Sequence, residues 1–189
     1  MPDDAETVSS LRATAHPLRL RMLSLLTGAE LSAAEVAREL GVSHANASYH
    51  LRVLLEAGAV EVAGEEKIRG GVAKRYRHPW RSRPREKASP QDQEVYVRAM
   101  AEELVRRARL RKPRTRSMFS DAELWVAPEV WERVQGLVRE ASELLHAEAR
   151  PPRTPDTLHV NLTAATFQLA DPSAGRHSHR RVAQEVTGR

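Results

Sequence analysis

The chain has 189 residues, 41% of them hydrophobic and 29% charged, with no cysteine and a formal charge of +5. That composition describes a globular chain of one compact domain plus an extension, or of two small domains, and it excludes disulfides, thiolate metal sites and thiol redox sensing. The acidic start Met1–Asp4 lacks the apolar run of a signal peptide, and Thr157–Ala170 is too short and too polar to span a bilayer, so a cytoplasmic protein with no membrane partner is expected.

Charge is unevenly placed. Residues 1–66 hold five arginines against ten carboxylates, or −5, whereas residues 67–85 hold eight Lys or Arg and no acid, or +8. A stretch of that density is a candidate phosphate-binding element, although a solvated charge run has the same composition.

In chain order, residues 17–27 read as a helix. Pro17 suits its first position, Leu18, Met22, Leu25 and Leu26 share one face, and Gly28 is expected as a left-handed stop. A second helix opens at Ser32, with Glu35 at capping-box spacing, Val36, Ala37 and Leu40 as its apolar stripe, and Gly41 as its end. Ser43 then caps a third helix after only three residues, the tight junction of a helix-turn-helix.

The third helix runs from about His44 to Ala57, with Gly58 beyond it. Ala47, Leu51 and Leu54 face inward. Its other face carries His44, Asn46, Ser48, Tyr49 and Arg52, which are uncharged hydrogen-bonding groups apart from Arg52. An ordinary solvated helix face is richer in Glu and Lys, whereas these side chains match base edges and phosphate oxygens. Ala59–Val62 reads as a strand, Gly64–Lys67 and Arg69–Gly71 as turns, and Val72–Arg77 as a returning strand. A hairpin directly after a reading helix is a wing. The basic run begins on it, with Lys67, Arg69, Lys74, Arg75 and Arg77.

The segments His16–Leu26, Leu31–Ser43 and Ala47–Val60 resemble the ArsR-type winged helix-turn-helix regulators, and the resemblance covers residues 11–78. It implies a homodimeric regulator, expected to be a repressor, that binds a pseudo-palindromic operator in double-stranded DNA. The helix capped by Ser43 would lie in the major groove and the wing would lie against the backbone. Many members bind metal through cysteines in the helix that here begins at Ser32, but this chain has Ser32 and Ala34 at those places. Nor do its later helices carry the Asp-x-His and His-x-x-Glu spacings that other members use. The histidines 16, 44, 50, 78, 146 and 159 are dispersed, and only His177 and His179 cluster, in the polar tail, so no metal and no cofactor is expected.

Beyond the wing, 82–89 is a Pro/Arg/Ser connector. Ser89 and Pro90 open a long helix with Val97, Ala101, Leu104 and Ala108 as its apolar stripe and a basic end from Arg106 to Lys112, where cations suit the helix dipole. Pro128 opens a further helix to about Ala149, flanked by expected strands at Glu123–Val126 and His159–Leu169. Six of the eight aromatics (Trp80, Tyr96, Phe119, Trp125, Trp131, Phe167) lie at or beyond residue 80, where core, dimer-interface and effector-pocket roles compete, and no effector is assigned. The expected fold is α+β, mostly α. It comprises a winged helix-turn-helix DNA-binding domain over 8–80, a connector and long helix over 81–112, a strand–helix–strand dimerisation or effector region over 120–170 and a disordered tail over 171–189.

Ser48, His50 and Glu56 share one short helix without a strained nucleophile turn, and no glycine-rich phosphate loop is present. No catalytic residue is therefore assigned, and an enzyme is not expected. The alternatives kept open are a winged helix used for protein contacts, which the polar third helix disfavours, and RNA binding, for which Tyr49 alone is no stacking platform.

Overall fold

The computed structural model describes residues 10–69, 71–81 and 89–170. The turn glycine Gly70, most of the connector, and the tail expected to be disordered, with His177 and His179, lie outside the described residues. The elements are α1 (Ser10–Thr14), α2 (Pro17–Thr27), β1 (Leu31–Ser32), α3 (Ala33–Leu40), α4 (His44–Glu56), β2 (Glu61–Ile68), β3 (Gly71–Arg77), α5 (Pro90–Arg109) and α6 (Pro128–Ala147).

Local chemistry explains the helix ends. Pro17 occupies the first turn of α2, and the His16 ring, rather than a hydroxyl, caps it by accepting the Leu18 amide at 3.1 Å. At α3 the Glu35 amide donates to Ser32 Oγ at 3.3 Å and the Ser32 amide donates back to the Glu35 carboxylate at 2.8 Å, completing the capping box. Gly41 ends α3 at φ 67°, a left-handed conformation that suits glycine. Ser43 then accepts the Asn46 amide at 3.2 Å and starts α4.

The core lies where the apolar faces of these three helices meet. Leu18, Met22 and Leu26 of α2, Val36 and Ala37 of α3, and Ala47, Leu51 and Leu54 of α4 are buried together with Ala59 and Val60. Each fully buried large side chain contributes roughly 1.5–3 kcal/mol of transfer free energy. The core thereby fixes α4 against α3 with its polar face outward.

β2 and β3 form an antiparallel hairpin from Glu61 opposite Arg77 to Ile68 opposite Gly71, with an irregularity between Val62 and Gly64. β1 adds to the other edge of β3, pairing Leu31 with Tyr76, which gives the order β1-β3-β2. The wing strand expected at 59–62 instead begins at Glu61 and runs to Ile68, because Ala59 and Val60 are drawn into the core.

Several expectations change. Gly28 is not a left-handed stop: its φ is −100°. A Cβ there would lie 2.6 Å from the Arg150 carbonyl oxygen, so glycine serves a close approach by the chain that follows α6. On α5 the apolar stripe of Val97, Ala101, Leu104 and Ala108 is exposed, as a stripe available for pairing would be. The face packed on α1 and α2 carries Asp92, Tyr96, Ala99 and Glu103 instead, and Arg106 and Arg107 neutralise the buried Glu103. Glu123–Val126 and His159–Leu169 are not strands in any sheet of the described residues, since a strand needs a hydrogen-bonded neighbour and neither has one.

Candidate nucleic-acid interface

The outer face of α4 is a ridge of hydrogen-bonding side chains. His44, Asn46, Tyr49 and Arg52 are exposed, whereas Ser48 is half-buried and so less available than expected. Ser43 is exposed as well, but its hydroxyl is already engaged in capping α4. Arg52 forms none of the ion pairs among the described residues. Asn46 lies in the first turn and Arg52 almost two turns later, so one end of the ridge offers amide chemistry and the other a cation.

Beneath the ridge lies a group that no sequence motif marks. The His50 ring is buried, 4.7 Å from the His16 ring and edge-on to Tyr49 at 5.1 Å. Burial, and next the Arg19 charge, hold the His16 ring below the ordinary histidine range against a pull from Glu102. Burial does the same for His50, aided by His16 and Arg19. Burial also lowers Arg19, whose Nε, like His50 Nδ1, lacks a hydrogen-bond partner among the described residues. A protonated His16 could not accept the Leu18 amide, so the cap of α2 depends on a neutral ring. No periodicity marked this cluster, because His16 and His50 meet only through the packing of α2 on α4.

The five basic wing residues separate into two kinds. Lys67, Arg69 and Lys74 are exposed and outside the ion pairs of the described residues. Arg75 is held by carboxylates: it donates to Glu66 at 2.7 Å, to Glu35 at 3.3 Å and to the Glu30 carbonyl. Arg77 likewise pairs with Glu61 and Glu30. Glu35 is therefore both the capping residue of α3 and an anchor for the wing. The Ser32 amide is the largest influence holding its carboxyl below the usual range, with Arg75 a smaller one. Hairpin register carries the missed signal: Glu61 stands opposite Arg77, and Glu65 and Glu66 lie across from the strand that bears Lys74 and Arg75.

A segment beyond α6 docks on this unit. Arg153 grips Glu39 of α3 through two contacts of 2.8 Å, which hold the Glu39 carboxyl below its ordinary range. The Trp80 and His146 rings lie 5.2 Å apart, and Pro151 borders an open cleft of about 610 Å³ together with Leu26, Gly28, Arg77 and Trp80. Of the six late aromatics, Trp80 alone lines that cleft, while Phe119, Trp125 and Phe167 are exposed.

Two helices joined across Gly41–Ser43, set on a third and followed by a hairpin, define a winged helix-turn-helix. Residues 14–63 match the family model of a helix-turn-helix domain, a span from the end of α1 into the first strand of the wing. No curated protein matches the chain. The domain match points to a DNA-binding regulator. Among the described residues no helix is long and apolar enough to cross a membrane, and no His, Asp and Glu cluster has metal-site geometry.

Proposed function

We propose that the protein is a sequence-specific transcriptional regulator of the ArsR type that binds double-stranded DNA as a homodimer. The observation that carries this reading is the exposed ridge of α4, uncharged apart from Arg52, set beside a wing whose Lys67, Arg69 and Lys74 form no ion pair among the described residues. Asn46 and His44 meet base edges in the major groove, with Tyr49 beside them. Arg52 and the three free wing cations meet phosphate oxygens, which set affinity rather than sequence. Two copies related by a two-fold axis read a pseudo-palindrome with half-site centres ~10 bp, or a multiple of it, apart. Repression is the simplest output, since a dimer seated on a promoter obstructs polymerase. Catalysis, a bound metal and a cofactor form no part of the proposal, and no effector is assigned.

In vitro selection from a random duplex library, followed by gel shifts with duplex and single-stranded competitors, tests it. An enriched two-fold-symmetric motif that only duplex competes is the expected result. Equal competition by single-stranded RNA would replace the reading with RNA binding, and no retained nucleic acid would replace it with a protein-contact module.

A further inference from the structure

α6 presents two faces with different fates. Trp131, Gln135, Val138, Ser142 and His146 are half-buried, His146 beside the Trp80 ring. Val130, Val134, Leu137, Ala141 and Leu144 remain exposed. Their spacing alternates between four and three residues, the heptad repeat by which one helix packs its side chains into the holes of another. Among the described residues no element covers this stripe, and none of the residues of α6 is fully buried.

The exposed apolar surface does not stop there. Phe119 is 78% exposed, Trp125 89% and Phe167 62%. At ~150–250 Å² per aromatic side chain, those three expose on the order of 350–550 Å² of apolar surface. The aliphatic stripe of α6 and the exposed Leu158, Val160 and Leu162 come in addition. Leu158, Val160 and Leu162 alternate with polar residues, one of which, Asn161, is tied by Arg107 of α5 at 3.0 Å. The arm is thus anchored to its own domain on one side and open on the other.

We propose that α6 pairs with α6 of a second copy of this chain, antiparallel about a two-fold axis near Leu137, and that this pairing is the dimer interface. The charges beside the stripe select both partner and direction. Arg133 and Glu140 flank the same edge of the stripe, are exposed, and belong to no ion pair of the described residues. In an antiparallel pair centred near Leu137, Arg133 of each copy stands opposite Glu140 of the other. In a parallel pair, each would face the apolar edge formed by Trp131, Val138 and Leu145. A stripe that is self-complementary in shape and in charge fits a second copy of itself.

The pairing deepens the two-copy reading proposed above, and it is tested without DNA, so failure of one is distinguishable from failure of the other. In sedimentation velocity at ~10 µM, the full chain is expected at twice its 21.2 kDa mass. Leu137→Glu shifts it to the monomer with its helical circular dichroism retained. Arg133→Glu weakens the dimer by about tenfold or more, and Arg133→Glu with Glu140→Arg restores it, a rescue that a merely misfolded variant would not show. The chain has no thiol of its own, so single cysteines report direction independently of these charge variants. Leu137→Cys, near the axis, should oxidise to a cross-linked dimer much faster than Leu144→Cys. A monomeric wild type, a dimer indifferent to Leu137→Glu, or equal cross-linking at both positions would each overturn the proposal.

Discussion

Lys74 and Arg75 are neighbours on the wing with the same formal charge, yet the structure gives them opposite roles. Lys74 is exposed and belongs to no ion pair of the described residues, whereas Arg75 is enclosed by Glu66, Glu35 and the Glu30 carbonyl, with its side chain only 28% exposed. Lys74→Ala should therefore remove one neutralised phosphate and flatten the slope of log affinity against log salt by about 0.9. Between 50 and 200 mM salt, a fourfold change, the affinity ratio of wild type to variant then shifts by about 3.5-fold. Arg75→Ala should leave that slope nearly unchanged and act on the fold. It removes the donor that links Glu66 of the wing to Glu35 of α3, at a cost of about 1–2 kcal/mol once the exposure of Glu66 is discounted. For a chain of this length, that is a fall in Tm of roughly 2–8 °C. Fluorescence anisotropy on a duplex at several salt concentrations, paired with thermal melts, separates the two effects. If Arg75→Ala flattened the slope as much as Lys74→Ala and left Tm in place, the carboxylate cage would not exist in solution.

Asn46→Ala should cost roughly 1–3 kcal/mol on the selected operator and much less on random duplex, read as the ratio of two dissociation constants; equal losses on both would show that α4 does not read bases. Because the folded His16 and His50 rings are held below the ordinary range, the unfolded chain takes up protons first as pH falls through about 6.5. Stability should accordingly drop from pH 7.5 toward pH 5.5, by no more than about 1.4 kcal/mol per pH unit for each ring, and level off below the depressed values. Urea unfolding across this range, repeated on His50→Gln, should show the flatter profile in the variant. Gly28→Ala places a methyl group against the Arg150 carbonyl, so trypsin should cleave faster after Arg153 while the core melts as before; unchanged cleavage would mean that the arm does not rest there. Zinc and chelator titrations should leave DNA affinity within tenfold, and a larger shift would reveal a missed metal site.

The helix-turn-helix was legible in the sequence because its determinants are local. Ser32 with Glu35, Ser43 with Asn46, and Gly41 at φ 67° act within a few residues of one another. The buried Ala47, Leu51 and Leu54 follow directly from helical periodicity. Tertiary contacts decided the rest. β1 is two residues long and exists only because Tyr76 and Arg75 lie beside it. On α5, apolar periodicity marks the exposed stripe with Val97 and Leu104 but not the packed face, which holds Glu103 because Arg106 and Arg107 neutralise a carboxylate that would otherwise keep that face in water. A run of eight cations cannot say which of them is already spoken for. Glu30, Glu35 and Glu66 come from distant turns of the chain to enclose Arg75, and only the fold brings them within reach. The same limit applies to Glu123–Val126 and His159–Leu169, whose composition suits strands, since pairing needs a neighbour that the described chain does not supply.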